Sequence, residues 1–322
     1  MISANVSVLD KLLSKLTSAW ATWVIMISAN VSVLDGSLYF TISLLFVLVS
    51  FAGYFIFLFT GNKTISKISF GVLIAGFIIQ TAAFVIRWIY AYKIGIDTPP
   101  LVDLYDSMVF FAYVIIFGFI LIRIFFDFDA LGFIITLVAS LALAFASFSP
   151  LAPSAVEPTI PALQSYWLIY HIMTLFISYG AFGASFGLGI LYLIKIGSVK
   201  ENKKNGGFLN LLPPSNIIEE AIYKVIVFGL VFLTAGIVIG AAWADSAWGG
   251  YWSWDPKETW SLITWLTYIL FIHARFTKGW GGKKMAWIAV IGFAVVIFCY
   301  LGVDLIIPGL HSYATPGSTP IL

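Results

Sequence analysis

Residues 248–260, WGGYWSWDPKETW, lie between two long apolar runs, at 222–243 and 257–276, and lead directly into the second. This short stretch holds four of the chain's twelve tryptophans, followed by an Asp, a Pro, a Lys and a Glu. An apolar run of about 20 residues is the length of helix that crosses the hydrocarbon core of a bilayer. A polar, aromatic segment between two such runs is typical of a loop at a membrane surface, where indole rings are enriched. The stretch therefore predicts a chain built from membrane-spanning helices.

The composition of the whole chain points the same way. Of the 322 residues, 61% are hydrophobic and 10% are charged, whereas about 25% of the residues of a soluble domain are charged. Apolar runs of the length of a membrane span recur along the sequence. We therefore predict an all-α, polytopic integral membrane protein with about eight transmembrane helices, at residues 39–60, 68–92, 107–126, 129–148, 167–195, 222–243, 257–276 and 285–306.

The chain divides into a short N-terminal segment and one transmembrane domain. Residues 1–38 are amphipathic in part, which favours a segment lying in the membrane interface. The letters MISANVSVLD occur at 1–10 and again at 26–35, a duplication to which we assign no function. Residues 39–322 form the predicted transmembrane domain, and we name its segment 243–258 the tryptophan loop.

The distribution of cationic residues predicts which side of the membrane each loop faces. Loops on the cytoplasmic side carry an excess of Lys and Arg. These residues are concentrated around 61–67, 195–204 and 275–284. Residues 149–170 and 307–322 contain neither. We therefore predict that the tryptophan loop and the C-terminus face the periplasm of a bacterium, across its plasma membrane, or the lumen of a plastid thylakoid membrane.

Charge and cysteine content exclude several classes of protein. A net charge of +2 is too small to indicate a nucleic-acid partner, and the cations already have a role in membrane orientation. Cys299 is the single cysteine, which excludes an internal disulfide framework, a CxxC redox pair and a CxxCH haem-attachment site. It lies inside an apolar run, where a small buried side chain is the expected role.

The three histidines fall at two depths of the predicted membrane. His171 lies at the outer end of the fifth span and His311 just beyond the outer end of the eighth. His273 follows Pro256, at the start of the seventh span, by seventeen residues. At about 1.5 Å per helical residue this places it roughly 26 Å deeper. Because the hydrocarbon core is about 30 Å thick, His273 cannot share a metal ion with the other two.

Histidine is the commonest side-chain ligand of transition metals and is rare inside membrane spans, which makes all three residues candidates for haem ligation. The two outer histidines suit a bis-imidazole pair on one iron, whereas His273 needs either a five-coordinate site or a ligand from another subunit. Packing or proton-relay roles are the alternatives for an intramembrane histidine. A b-type electron carrier would use the same outer pair, so the histidines alone do not decide the function.

The aromatic side chains of the tryptophan loop offer a platform for a flat ligand. Trp248, Tyr251, Trp252 and Trp254 lie within seven positions, while an interfacial aromatic belt is usually spread over many loops. A flat, amphipathic molecule such as haem needs broad apolar faces with polar groups at its rim. The concentration of these rings in one loop favours the platform over the belt.

Asp255 has two compatible interpretations. With Pro256 and Glu258 it fits the N-cap, first and third positions of a capping box at the start of the seventh span. We expect this capping role in preference to direct chemistry. A cap here would anchor the tryptophan loop rigidly on the following helix.

These motifs together resemble the WWD signature of the haem-handling membrane proteins of cytochrome c biogenesis. DPKET at 255–259, PALQSYWLIYH at 161–171 and GLHSY at 309–313 resemble the CcsA (ResC) family of the System II cytochrome c synthase. The resemblance extends from about residue 70 onward. The sequence departs from the family at Asp97, where relatives often carry His, and at LYDS, 104–107, where they often carry LYES.

The resemblance implies a reaction, a substrate and partners. His171 and His311 would ligate haem b, bound as substrate, beside the WWD platform, and His273 would receive its opposite haem ligand from a CcsB (ResB) subunit. The implied activity is that of a holocytochrome c synthase, or haem lyase, which joins the haem vinyl groups to the two cysteines of a CxxCH apocytochrome c. It requires no side-chain nucleophile in this chain.

Three alternatives remain at this point. A haem exporter or chaperone would deliver haem without ligation, and a b-type electron-transfer subunit would cycle with a quinone. A proton-coupled transporter would need intramembrane acids, of which Asp304 is the clearest. Arg87, near the outer end of the second span, is a candidate partner for a haem propionate, although a snorkelling role at the interface is the stronger expectation.

Overall fold

The structure is a computed structural model that describes residues 33–126, 128–157, 161–200, 207–307 and 309. The candidate ligand His311 and residues 1–32, which include the first copy of the duplicated letters and most of the second, lie outside the described residues.

Every regular element within the described ranges is helical. The long helices follow one another through short connections, some of them containing single 3₁₀ turns. They are α1 (Ser37–Thr60), α2 (Lys63–Lys93), α3 (Leu104–Phe126), α4 (Leu131–Phe148), α5 (Tyr166–Lys200), α6 (Ser215–Trp248), α7 (Pro256–Lys278) and α8 (Lys283–Ile297), with a short α9 (Val303–Ile306) continuing α8.

Seven of these helices are long and apolar enough to cross a membrane, namely α1 to α6 and the run Lys283–Ile306 that joins α8 to α9. This confirms the predicted all-α, polytopic membrane class. The helix predicted at 257–276 is present as α7 and has a sufficient length, but it is the least apolar of the eight. Its first turn carries Glu258 and its last turn carries Arg275 and Lys278.

Helix α5 lies at the centre of the bundle. Its most apolar window is 72% buried, against 28% to 56% for the other six spans. It packs most extensively on α6 and also contacts α3, α4 and α8. Small residues permit this close packing: a Cβ atom at Gly183 would lie 3.2 Å from Ile115, and one at Gly187 would overlap Leu131.

A buried ion pair joins α2 to α3. The guanidinium of Arg87 donates to both carboxylate oxygens of Asp106, and neither side chain is accessible to solvent. It also donates to the carbonyl of Asp35 and lies over the ring of Tyr105. Arg87 therefore does not snorkel to the interface, because the neighbouring carboxylate holds its charge inside the bundle. For the same reason it is not available to a haem propionate.

The last membrane-spanning run contains a wide turn between α8 and α9. Residues Phe298–Gly302 form a π-helical turn, in which the amide of Val303 donates to the carbonyl of Phe298. Such turns carry one extra residue within an α-helix and are frequent at functional sites.

Candidate functional site

A cleft opens at the end of the bundle where α5 and α7 begin and where α6 and the last membrane-spanning run end. It holds about 990 Å³ of empty space when its open side is included. The side chains that line it and bear on its chemistry are His171, Tyr251, Trp252, Lys257, Tyr300 and Asp304.

His171 enters the cleft from the first turns of α5 and packs against α6. Its Nδ1 lies 2.7 Å from the carbonyl oxygen of Gly236. A carbonyl oxygen only accepts, so Nδ1 carries the proton and the lone pair of the neutral ring is on Nε2. Ligating histidines commonly donate their second ring nitrogen to a backbone carbonyl in this way. The hydrogen bond to Gly236 therefore favours the tautomer with its lone pair on Nε2, an arrangement that is common among ligating histidines.

The close contact between His171 and α6 depends on a glycine. A Cβ atom at Gly240 would overlap the imidazole ring. Gly236 and Gly240 lie four residues apart on the same face of α6, where one accepts the hydrogen bond and the other leaves room for the ring. This pair of glycines is a feature that the sequence reasoning missed, although both are visible in the printed sequence.

The four aromatic residues of the proposed platform differ in their surroundings. Tyr251 and Trp252 line the cleft. Trp248 contacts Trp243 edge to face, with ring centroids 6.0 Å apart, and Trp252 contacts Trp254 in the same way at 5.8 Å. Tyr251 and Trp254 are 63% and 68% exposed. The structure therefore brings Trp252 and the largely exposed Tyr251 to the cleft, whereas Trp254 is exposed and does not line it.

Two indole groups in this loop are candidates for donating to a ligand. The Nε1 atoms of Trp248 and Trp252 are buried, and neither has an acceptor among the described residues. The indole of Trp243, by contrast, donates to the carbonyl of Ala162 at 3.1 Å. Since buried N–H groups are nearly always paired, an acceptor from a bound molecule would complete the environment of Trp252 in the cleft.

The tryptophan loop is anchored by the start of α7. Asp255 caps the helix by accepting from the amide of Lys257 at 2.8 Å, and Glu258 accepts from the amide of Asp255 at 3.2 Å. The predicted capping box is thereby confirmed. Glu258 also accepts from the amide and hydroxyl of Ser253, at 2.7 and 3.2 Å. One carboxylate therefore fixes two residues of the loop, Ser253 and Asp255, through three hydrogen bonds.

The backbone of the loop contains a strained position. Trp254 has φ of 60°, a left-handed conformation that residues with a side chain seldom adopt. Strain of this kind persists where neighbouring contacts determine the backbone. Here those contacts are the hydrogen bonds of Glu258 to residues on both sides of Trp254.

An ion pair closes the cleft on the side of the last helices. Lys257 pairs with Asp304 and also donates to the carbonyl of Tyr300 at 3.3 Å. The hydroxyl of Tyr300 donates to Ser107 on α3 at 2.9 Å. The sequence reasoning gave Lys257 no role in the site and considered Asp304 only as a transporter acid. Their forty-seven-residue separation in the sequence concealed the pair.

The remaining candidate residues lie elsewhere. Asp255 and the rings of Trp248 and Trp254 belong to the same loop but do not line the cleft. His273 lies on an exposed part of α7, seventeen residues beyond Pro256, or roughly 26 Å along a helix. That His171 and His273 lie at two depths of the membrane stays a prediction. Among the described residues, no group of three or more His, Cys, Asp or Glu side chains could hold a metal ion.

Comparison with known proteins relates most of the chain to one family. Residues 101–311 match the family described as Cytochrome C assembly protein. A cytochrome c biogenesis protein CcsA from Guillardia theta is 37% identical over 288 residues, covering 84% of this chain and 94% of that protein. A CcsA from Chlamydomonas reinhardtii is 46% identical over 219 residues, covering 66% of this chain and 60% of that longer protein.

A solved structure of a cytochrome c haem lyase has a related fold. The cytochrome c haem lyase CcmF superimposes with a TM-score of 0.58 and 16% sequence identity. The match covers 84% of this chain and 46% of the CcmF chain. At this level of identity the likeness concerns the fold alone.

Proposed function

Because this chain belongs to the cytochrome c assembly protein family, and within it to the CcsA group, we propose that it is the membrane subunit of a System II cytochrome c synthase. In this proposal the chain takes haem b as its substrate and presents it at the cleft. There the haem vinyl groups are joined to the two cysteines of a CxxCH apocytochrome c. The protein resides in a bacterial plasma membrane or a thylakoid membrane, with the cleft on the periplasmic or lumenal side.

The observation that carries this proposal is the contact between Nδ1 of His171 and the carbonyl oxygen of Gly236, at 2.7 Å. When Nδ1 of a neutral histidine donates to a helix carbonyl, the lone pair that can bind a metal is on Nε2. His171 lines the same cleft as Tyr251 and Trp252. A haem ligand and flat aromatic faces for the porphyrin are thereby combined. The buried indole N–H of Trp252 adds a donor for a polar group of the substrate.

His311 is proposed as the second outer ligand. Gly309, two residues before it, lies against Asp255 and Pro256 at the start of α7. Two residues of extended chain span at most about 7 Å. The contact of Gly309 with the start of α7 therefore supports the proposal, although His311 itself lies outside the described residues.

His273 is proposed as the ligand of a second haem site, completed by a CcsB-type subunit. It shares an exposed face of α7 with Leu266, Leu270 and Phe276, which are 50%, 53% and 71% exposed. A histidine facing out of the bundle is positioned to receive a ligand from a neighbouring chain. Haem held there would lie deeper in the membrane than the cleft and would move outward to His171.

Thioether formation needs positioning more than a catalytic side chain. Each cysteine thiol adds across one vinyl double bond, so that sulfur bonds to one carbon, the proton goes to the other and no electrons are lost. Holding the two reactants in a suitable geometry supplies up to about 7–11 kcal/mol of the barrier in favourable intramolecular systems. The roles of His171 and the aromatic rings are to hold the iron and orient the vinyl edge.

Co-expression with a CcsB-type subunit and a CxxCH reporter tests the proposal. We expect covalent haem in the reporter with the unaltered chain and at least about a tenfold loss with His171→Ala, as for the removal of groups that support a metal site. Added imidazole should restore part of the yield by replacing the missing ligand. Full haem attachment by His171→Ala would contradict the proposal. Maturation that requires an additional haem chaperone would favour an exporter.

A further inference from the structure

The cleft contains a cation at a position that a helix does not favour. Lys257 is the second residue of α7, where the partial positive charge of the helix N-terminus opposes an ammonium group. It is also the only Lys or Arg among the described residues that line the cleft. The stability of α7 therefore does not explain why a cation is present at this position.

The ion pair of Lys257 is asymmetric in its exposure. The side chain of Asp304 is 4% exposed, while that of Lys257 is 25% exposed and borders the cleft. An ammonium group has three N–H donors. The described contacts, to Asp304 and to the carbonyl of Tyr300, use two of them. The buried carboxylate therefore fixes the ammonium group while one side of it still faces the cleft.

We infer that Lys257 recognises a carboxylate of the haem substrate and that Asp304 positions it for this contact. The inference rests on the proposed function, since haem carries two propionate groups. Lys257 thus takes the propionate-binding role for which Arg87 is not available, because Arg87 is held in a buried ion pair with Asp106. Charge-assisted hydrogen bonds from an ammonium group to a carboxylate are among the stronger polar contacts in proteins. The buried indole N–H of Trp252 provides a second donor in the same cleft.

A purely structural role makes a different prediction. If Lys257 only tied the start of α7 to α9, its replacement would weaken the binding of any porphyrin to the same extent. A carboxylate-binding role affects only porphyrins with free propionates. The two roles are separated by comparing haem with haem dimethyl ester, in which both propionates are blocked.

The experiment titrates the purified full-length chain with haem and with haem dimethyl ester, following the Soret absorbance. The variants are Lys257→Gln, Lys257→Arg and the double variant Lys257→Gln with Asp304→Asn, which removes both charges and leaves no unpaired carboxylate. Lys224→Gln is the matched control, because Lys224 also pairs with a carboxylate, Glu220, at 3.5 Å but lies away from the cleft. Tryptophan fluorescence melts report the folding of each variant.

We expect the unaltered chain and Lys224→Gln to bind haem about tenfold more tightly than the ester. The preference should be lost in Lys257→Gln and in the double variant, and retained in Lys257→Arg, while affinity for the ester stays constant. An unchanged preference for haem in the folded double variant would overturn the role of Lys257 and leave the proposed function standing. Failure of the unaltered chain to bind either porphyrin would overturn the proposed function and this inference together.

Discussion

At the scale of single residues, the imidazole of His171 is held by a helix carbonyl that already has a partner of its own. In an α-helix the carbonyl of residue 236 accepts from the amide of residue 240. A carbonyl oxygen has two lone pairs, so Gly236 can also accept from Nδ1 of His171 at 2.7 Å. The ring orientation is thereby tied to the backbone of α6 and not to a mobile side chain.

The contact predicts a specific effect of a single methyl group. Gly240→Ala places a Cβ atom in overlap with the imidazole ring, so we expect the ring to leave the carbonyl of Gly236 and haem affinity to fall by at least about tenfold. Gly71→Ala is the matched control, since it is also helical and has no atom within 4 Å of the added methyl group. Soret titrations measure the affinity. Equal affinities of the two variants would show that the ring position does not matter.

The sequence identified His171 as a ligand candidate but not its tautomer. His171 was a candidate because it is a histidine, because it lies at the end of a span and because histidine is rare in membrane spans. All three properties can be read from the local sequence. The tautomer depends on a partner 65 residues away, on a helix whose rotation about its axis no local pattern reveals. The same reason explains why Lys257 and Asp304 were not paired from the sequence.

At the scale of elements, the start of α7 and the tryptophan loop form one unit. The capping box was predictable because its residues are adjacent in sequence and their hydrogen bonds follow from helix geometry alone. The further bonds from Ser253 to Glu258 were not predictable, since they require the left-handed backbone of Trp254 between them. The loop is thus rigid where it meets the helix.

Substitutions of Asp255 distinguish its helix-capping role from a direct role of its carboxylate in the reaction. Asn caps a helix as well as Asp does, whereas Ala removes the cap at a cost of about 0.5–2 kcal/mol. We therefore expect Asp255→Asn to retain thermal stability and reporter maturation, and Asp255→Ala to lose both in part. Thermal unfolding in detergent and the yield of holocytochrome measure the two effects. A loss of maturation in a stable Asp255→Asn protein would instead indicate a direct role for the carboxylate charge.

At the scale of the whole molecule, hydropathy predicted the spans well and their ends less well. The apolar run at 222–243 corresponds to α6, which extends over Ser215–Trp248. The additional turns include Glu219 and Glu220, which form ion pairs with Arg275. Hydropathy detects the part of a helix inside the hydrocarbon, whereas hydrogen bonding continues the helix beyond it.

The buried pair of Arg87 and Asp106 is a contact between spans that hydropathy cannot detect. Removing one member leaves the other charge buried and uncompensated, which costs about 3–5 kcal/mol. We expect Arg87→Met to lower thermal stability strongly, and the double variant Arg87→Met with Asp106→Leu to recover much of it. Lys224→Ala is the control, because its pair with Glu220 is more than half exposed and contributes little. Unfolding temperatures in detergent that are equal for all three variants would exclude a structural role for the pair.

The π-helical turn at Phe298–Gly302 sets the rotation of the short helix α9 about its axis. One residue of α-helix corresponds to a rotation of about 100°. Shortening the turn by a single residue to a regular α-helical register would therefore swing Asp304 about a quarter of a revolution away from Lys257. The extra residue therefore determines which way the side chain of Asp304 points. It also determines the direction in which the chain leaves α9 toward Gly309 and the start of α7.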